Sequence, residues 1–228
     1  MKILFVVSSA ELGYWLAELT HPYWHFAERG HEIDFASPNG GTLKYDATSD
    51  PYSENSWEAN DLVSKGFLAD KSLLERVNAS APLSEVDPAL YDAVHIVGGG
   101  GAAVDLYPNA ELTRILEHFW SESKLIGAIC HGSIALANNP QRVAGKTATG
   151  FSRAEDRQVE DLYGDDFIPN FPQPVMERAG IQFRHTSPWG LQVVVDGKLI
   201  TAQNQQSASD YAIAFTHLLS QTNPVTTV

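Results

Sequence analysis

The sequence has a single cysteine, few positive charges and no long apolar run. Its one cysteine, Cys130, cannot form an internal disulfide, and a lone thiol suits a reducing cytosol, so we expect a cytoplasmic protein. Fifteen Lys and Arg residues against 28 Asp and Glu residues give a net charge of −13, which repels nucleic acid and anionic lipid. No segment approaches the ~20 apolar residues of a membrane-spanning helix, and the apolar start of the chain has no signal-peptide cleavage site. We therefore expect neither a nucleic-acid nor a membrane partner.

Short apolar runs rich in β-forming residues alternate with helical patterns along the chain. This alternation is typical of a parallel-rich sheet with helices on both faces, so we expect a single α/β domain over residues 1–228. The predicted central strands are residues 2–7, 32–36, 93–97, 125–129 and 146–149. Residues 192–195 and 198–201 predict an antiparallel hairpin with a tight turn at Asp196-Gly197. Residues 206–219 predict a helix that closes the sheet.

Residues 45–91 interrupt this alternation. The segment is polar, rich in Asp, Ser and Pro, and contains one helical piece around residues 70–77, which makes it too long for a plain connection. Its aromatic residues Tyr52, Trp57 and Phe67 favour an ordered cap insertion over a pocket, and a surface excursion without function is the alternative.

The strongest chemical signal is an apolar strand that ends at Cys130. Ala128 and Gly132 give the small-x-Cys-x-Gly pattern of a nucleophile elbow, in which larger side chains would collide at the tight turn from strand to helix. A helix beginning near Ser133 would point its positive end at the sulfur and hold the thiol pKa well below its ordinary ~8.5. The alternative for a lone cysteine is a small buried apolar residue.

A glycine run, residues 98–101, follows the strand before the elbow. The carboxyl edge of a parallel sheet is where ligands bind, and glycines there let backbone N–H groups approach an oxyanion. We expect Gly99 and Gly100, together with the His131 N–H, to be these donors. A phosphate site is the alternative, but neither phosphate-binding glycine motif is present.

Glu18 lies among apolar residues of the helix expected after the first strand. Pro22 has no N–H, so the Glu18 carbonyl lacks its helical donor and the helix should kink where the carboxyl can face the sheet edge. Beside Cys130 this carboxyl should be buried, with a raised pKa, whereas a solvated helical glutamate is the alternative. His21 and His25 have metal-ligand spacing, but Pro22 between them and the lack of a third ligand make us expect no metal site.

His131 directly follows the cysteine and needs an orienting carboxylate to act as a base. Its ring can point away from the sulfur on a sharp turn. Glu155 and Asp156 are both candidates, and in an extended segment their side chains would face opposite sides, so that only one reaches the site. Trp189 is interpreted as packing or as a pocket wall.

Several further motifs occur in a fixed order along the chain. They are Glu18-x-x-His21-Pro22, Phe35-Ala36-Ser37-Pro38 before Gly40-Gly41, Tyr91-Asp92-Ala93 before the glycine run, Ala128-Ile129-Cys130-His131-Gly132, Gly145-Lys146-x-x-Thr149-Gly150-Phe151, Pro188-Trp189, Val195-Asp196-Gly197-Lys198-Leu199-Ile200-Thr201 and Gln203-Asn204-x-x-Ser207-Ala208. In this series the chain resembles the ThiJ/PfpI superfamily, and in particular its heat-shock-chaperone and glyoxalase III branch. The likeness spans nearly the whole chain.

The resemblance implies a flavodoxin-like, class I glutamine amidotransferase-like sandwich. It also implies a catalytic set of Glu18, Cys130, His131 and Asp156, with Glu155 as the fallback for the third acid. The branch is similar to cofactor-independent enzymes that convert methylglyoxal to lactate, so the expected partner is a small aldehyde, without cofactor or metal, and we expect a homodimer. Two positions depart from the family pattern: Gly100 replaces a histidine of the glycine run, and Ser133 replaces a proline.

Other classes of function remain open. A cysteine peptidase or amidase would use the same Cys-His pair on an amide, but it needs an open groove that the expected cap would obstruct. A stress-related holdase chaperone would use apolar surface, and a redox sensor would use an oxidisable sulfur. A complete glutamine amidotransferase is disfavoured, because the late His-x-Glu of its triad is absent.

Overall fold

The computed structural model describes residues 1–222. Its strands are β1 (Lys2–Val6), β2 (Glu32–Ser37), β3 (Ala81–Pro82), β4 (Ala93–Ile96), β5 (Leu125–Ile129), β6 (Thr147–Ala148), β7 (Gln182–Phe183), β8 (Val193–Asp196) and β9 (Leu199–Ala202). Its α-helices are α1 (Leu16–Ala27), α2 (Leu62–Ala69), α3 (Lys71–Val77), α4 (Ala102–Asp105), α5 (Ala110–Ser121), α6 (Pro140–Val143), α7 (Arg153–Tyr163), α8 (Pro172–Arg178) and α9 (Ala208–Thr222). Of the described helices, none has both the length and the apolar character to cross a membrane.

Seven strands form one mixed sheet in the order β3-β2-β1-β4-β5-β9-β8. All neighbours are parallel except β8 and β9, which form the predicted antiparallel hairpin with Val195 opposite Ile200. The side chains of β1 alternate between the two faces of the sheet. Ile3 and Phe5 join a core beneath α1 and α9, whereas Leu4 and Val6 join the core beneath α5. The predicted α/β sandwich with helices on both faces is confirmed.

The prediction of a central strand at residues 146–149 is wrong. Only Thr147–Ala148 is a strand, and it pairs with β7 in a separate two-stranded sheet. Side chains of the hairpin occupy the donors that a longer ladder would use: Asp196 Oδ2 accepts the Thr147 N–H at 2.8 Å, and Thr201 Oγ1 accepts the Thr149 N–H at 2.8 Å. The segment is thereby tied to the main sheet without joining it.

Residues 45–91 are ordered and contain two helices. The predicted helical piece is α3, capped by the Asp70 carboxylate, whereas α2 is not predicted by the sequence pattern. The segment is anchored to α1, where Thr20 Oγ1 lies 2.8 Å from Ser64 Oγ and the buried Phe67 ring packs edge-on against Tyr23. Its first part lies beside the carboxyl edge of the sheet, and its last part contributes the edge strand β3.

Candidate active site

Cys130 follows β5 directly and has a left-handed backbone with φ of 57°. This conformation costs a non-glycine residue roughly 1–2 kcal/mol and is typical of a nucleophile elbow. Gly132 shows why a small residue is needed, because a Cβ there would lie 2.7 Å from the Val97 carbonyl oxygen. The Cys130 side chain points into the fold and is only 4% exposed.

The expected lowering of the Cys130 thiol pKa is contradicted. Burial raises the pKa of the thiol well above its ordinary value, and the negative charge of Glu18 raises it further. The N–H groups of Gly99 and His131 face the sulfur and lower the thiol pKa, but they do not outweigh burial. The segment Cys130–Asn138 is a 3₁₀-helix rather than the expected α-helix. The dipole of an α-helix therefore does not determine the pKa of the Cys130 thiol.

Glu18 lies in the first turn of α1 and is fully buried, as expected from its apolar surroundings. Burial raises the pKa of its carboxyl to about 8, while interactions with Cys130 and with the Gly98 N–H lower it less. Gly98 packs directly against this carboxyl and leaves no room for a side chain, since a Cβ there would lie 2.3 Å from Glu18 Oε2 and 2.7 Å from Cys130 Cβ. A carboxyl and a thiol thus share one closed, low-dielectric space.

The His131 ring points toward the sulfur rather than away from it. His131 Nδ1 lies 3.4 Å from Cys130 Sγ, and His131 Nε2 lies 3.0 Å from Asp156 Oδ1. The ring also packs on Phe151 at a centroid distance of 4.3 Å, which fixes its plane. Asp156 is fully buried, and burial raises its pKa, although the hydrogen bond with His131 opposes this. The structure therefore brings Cys130, His131 and Asp156 into one row.

Glu155 lies elsewhere, and the assumption of an extended segment is wrong. Both acids belong to the first turn of α7, where Ser152 and Glu155 form a reciprocal capping box. Glu155 Oε1 accepts the backbone N–H of Trp189 at 2.8 Å and the side-chain amide of Asn204 at 2.7 Å. Gln203 Nε2 donates to the same oxygen at 3.1 Å. Glu155 therefore links the start of α7 to two loops and has no hydrogen bond with His131.

The two expected oxyanion donors differ in position. Gly99 has φ of 96°, and a Cβ there would lie 2.3 Å from the Trp15 nitrogen, so a side chain at this position would be strained and would clash. Its N–H faces Cys130 Sγ. Gly100 lines the cavity, and a Cβ there would meet the Ile168 Cδ1 atom at 3.2 Å.

A small cavity of about 40 Å³ opens onto Cys130. Its lining is rich in aromatic residues and carries no Lys or Arg among the described residues. The lining residues are Trp15, Asp46, Thr48, Trp57, Gly99, Gly100, Cys130, His131, Phe151, Val159, Tyr163, Phe167, Ile168, Trp189 and Gln205. Trp189 is confirmed as a pocket wall. Thr48, Phe167 and Ile168 were not predictable, because no motif marks them and they come from segments far apart in sequence.

The fold agrees with comparisons to known proteins. Residues 1–218 match the DJ-1/PfpI family. The chain belongs to this family. Glyoxalase 3 of Candida albicans is 27% identical over 223 residues, which cover 90% of this chain and 88% of the relative.

Two crystal structures of DJ-1/PfpI-fold relatives are similar along nearly their full length. Rapid encystment protein 24 kDa of Francisella tularensis superimposes with a TM-score of 0.84 at 33% identity, covering 96% of this chain and 98% of that one. Glyoxalase III of Candida albicans superimposes with a TM-score of 0.79 at 25% identity, covering 96% and 97%. The ThiJ/PfpI resemblance of the sequence is thus confirmed.

Proposed function

We propose that the protein is a cofactor-independent, glyoxalase III-like enzyme that converts methylglyoxal or a related 2-oxoaldehyde to a 2-hydroxy acid. The observation that carries this proposal is the buried pair of Glu18 and Cys130, in which a carboxyl with a pKa of about 8 adjoins a thiol. Such a pair combines a nucleophile with an acid or base that titrates near neutral pH. The relatives named as glyoxalases support the same reaction class.

The first step forms a bond between Cys130 Sγ and the aldehyde carbon. The thiol proton passes to Glu18 or His131 as the sulfur attacks, and the aldehyde oxygen becomes an alkoxide. The N–H groups of Gly99, Gly100 and His131 stabilise this charge. Protonation of the alkoxide gives a hemithioacetal, with no change in oxidation state.

The second step moves one proton between the two carbonyl carbons. Glu18 as carboxylate removes the hydrogen of the former aldehyde carbon, which gives an enediolate, and then returns a proton to the neighbouring carbon. The product is a thioester of the 2-hydroxy acid. Water, activated by His131 with Asp156 as its orienting partner, cleaves the thioester and restores the Cys130 thiol. The net reaction is the addition of one water, with neither metal nor redox cofactor in the cycle.

The cavity favours a small, uncharged substrate. Its volume of about 40 Å³ exceeds the roughly 10–15 Å³ that one water needs, but only by a few water-sized places. A three-carbon oxoaldehyde suits this space better than a peptide, which disfavours a peptidase or amidase. No cation lines the described cavity, so a phosphorylated or carboxylated aldehyde would lack a partner.

The decisive experiment measures lactate formed from methylglyoxal by the parent protein and by Cys130→Ser. We expect activity in the parent and a loss on the order of 10²–10⁴ in the variant. Ser121→Ala, which removes an exposed hydroxyl at the end of α5, is the control and should equal the parent. Equal lactate production by parent and Cys130→Ser would refute the cysteine mechanism.

The same variant separates the other function classes. A holdase chaperone would protect an aggregating client equally well with Cys130→Ser, and a redox sensor would lose its oxidation without any loss of lactate formation. We also propose a cytoplasmic location, which cell fractionation tests. A homodimer is proposed as well, and light scattering after size-exclusion chromatography tests it.

A further inference from the structure

Outside the cavity, Ser209, His21 and Asp61 form a second row of a hydroxyl, an imidazole and a carboxylate. His21 Nδ1 lies 2.7 Å from Ser209 Oγ, and His21 Nε2 lies 3.0 Å from Asp61 Oδ1. With the ring proton on Nε2 donated to Asp61, Nδ1 is free to accept the serine proton. The order of atoms is the same as in the row of Cys130, His131 and Asp156.

Three separate elements hold this row in place. His21 lies one turn after Glu18 on α1, Asp61 is the N-cap of α2, and Ser209 is the second residue of α9. The Asp61 carboxylate also accepts the N–H groups of Val63 and Ser64. The row is therefore fixed by backbone structure and does not depend on mobile surface side chains.

Asp61 is built to remain charged. Its side chain is only 7% exposed, and burial opposes ionisation, yet hydrogen bonds from His21 and Ser64 prevail and lower its pKa to about 2. Its second oxygen, Oδ2, is buried and has no hydrogen-bond partner in the described part of the chain. A buried, undercompensated carboxylate stabilises the imidazolium that forms when a histidine takes up a proton.

The row opens into a groove of about 640 Å³, much larger than the cavity over Cys130. Trp57 and Gln205 line both spaces and separate them. Among its described lining residues the groove has Glu58 and Asp61 but no Lys or Arg, so it suits neutral or cationic molecules. Asn60 and Gln206 also line it, and their amide groups are of the kind that can donate to an oxyanion.

We propose that Ser209 is a second nucleophile, activated by His21 and Asp61, which cleaves small neutral or cationic carboxylic esters in this groove. Ser209 Oγ bonds to the ester carbonyl carbon while its proton moves to His21 Nδ1. Collapse of the tetrahedral intermediate breaks the ester bond, and the departing alcohol takes that proton. Water, with His21 as base, then hydrolyses the acyl-serine to the free acid and restores the hydroxyl.

A fluorophosphonate probe tests the nucleophile directly, because it phosphonylates activated serines. The experiment uses the full chain as Cys130→Ala, which leaves no thiol to react, and maps the modified peptide by mass spectrometry. We expect labelling at Ser209 and its disappearance in Cys130→Ala/Ser209→Ala. Ser220→Ala, which removes an exposed hydroxyl from the same helix, should leave the labelling intact. Absence of label at Ser209 would overturn the proposal.

Hydrolysis of p-nitrophenyl acetate in the Cys130→Ala background gives an independent readout. Ser209→Ala and His21→Gln should each lower the rate, by on the order of 10²–10⁴ for the loss of a positioned base. Far-UV circular dichroism and melting curves of each variant exclude unfolding as the cause. Ester turnover that survives Ser209→Ala would reduce the row to a structural link between α1, α2 and α9. Because every arm lacks Cys130, the outcome is independent of the glyoxalase proposal.

Discussion

His95 Nε2 lies 3.0 Å from the carbonyl oxygen of Glu18 and supplies the hydrogen bond that Pro22 cannot donate. Burial lowers the pKa of His95 to about 4, so the ring is neutral, donates through Nε2 and accepts from the Tyr211 hydroxyl at Nδ1. A side chain of the central strand thus replaces one helical hydrogen bond. It fixes the backbone of Glu18 at the position where its carboxyl meets Cys130.

Replacing His95 by Phe should destabilise the protein. The variant leaves the Glu18 carbonyl and the Tyr211 hydroxyl buried without a partner, and each such group costs about 1–3 kcal/mol. Urea unfolding at pH 7 measures the loss, with the exposed His217→Gln as the control that should stay within about 0.5 kcal/mol of the parent. A parent-like free energy of unfolding for His95→Phe would contradict this role.

The same residue predicts a pH dependence of stability. Below the ordinary pKa of 6.5 the unfolded chain protonates His95, whereas the folded ring stays neutral down to about pH 4. The stability that His95 gives is therefore present above pH 6.5 and falls by up to about 1.4 kcal/mol per pH unit toward pH 4. We expect the difference in unfolding free energy between the parent and His95→Phe to shrink from pH 7 to pH 5. A constant difference would argue against a neutral buried ring.

The pair of Glu18 and Cys130 predicts opposite effects on alkylation and turnover. Glu18→Gln removes the negative charge that raises the pKa of the Cys130 thiol, so the thiol pKa should fall and iodoacetamide should react faster above about pH 8, where the parent carboxyl is charged. Lactate formation should nevertheless fall by on the order of 10²–10⁴, because Gln cannot transfer the proton. Alkylation rates against pH and methylglyoxal turnover measure the two effects. A thiol pKa that rises or stays constant in Glu18→Gln would contradict the coupling.

The adjacent acids Asp156 and Glu155 should fail in different ways. Asp156→Asn removes the charge that faces His131 and should lower turnover by about 10²–10⁴ with little change in melting temperature. Glu155→Gln replaces a carboxylate that accepts three N–H groups from two loops, so it should lower the free energy of unfolding by about 1–3 kcal/mol. Melting curves and turnover numbers of both variants provide the test. A turnover defect in Glu155→Gln together with a stability defect in Asp156→Asn would assign the orienting role to Glu155 and the structural role to Asp156.

The sequence carries enough information for the strands that lie wholly inside the sheet. Residues 93–97 and 125–129 are almost wholly apolar, residues 32–36 alternate polar with apolar, and all three segments lie within or next to the observed β4, β5 and β2. The segment 146–149 has the same local pattern but fails, because the Asp196 and Thr201 side chains from a distant hairpin take its donors. Helix α2 was not predicted, because long-range contacts stabilise it. Asp61 caps its start, and Ser64 packs against Thr20 of α1, which is distant in sequence.

In the candidate site, too, local sequence motifs predict some features and tertiary contacts determine the others. Motifs place Cys130 and the glycine run at one sheet edge, because both come straight after strands, and they place Glu18 on the helix after the first strand. The thiol pKa is not visible in sequence, since it depends on how far the sulfur is buried and on how close Glu18 lies. The position of Asp156 rather than Glu155 beside His131 likewise follows from the helical start of α7. A prediction that assumes an extended segment does not contain this arrangement.

Gly98 should tolerate no side chain, because it packs directly against both Glu18 and Cys130. A Cβ there would lie 2.3 Å from Glu18 Oε2, 2.6 Å from the Ile129 carbonyl oxygen and 2.7 Å from Cys130 Cβ. Two of these neighbours are fixed by the backbone of the elbow, so they cannot move away independently. Gly98→Ala should therefore cost about 1–3 kcal/mol of stability and also displace the carboxyl from the thiol, with a large loss of turnover.

Two matched variants separate this clash from the general effect of adding a methyl group. Gly66→Ala, in α2, meets no atom within 4 Å and should stabilise the protein by up to about 1 kcal/mol with unchanged turnover. Gly100→Ala meets the flexible end of Ile168 at 3.2 Å and Leu12 at an ordinary contact distance of 3.6 Å, so it should fold normally and retain most activity. Thermal melts and lactate formation of the three variants complete the test. If Gly98→Ala matched Gly100→Ala in melting temperature and in lactate formation, the carboxyl and the thiol would not depend on a glycine at position 98. The close packing of Glu18 against Cys130 would then have to be abandoned.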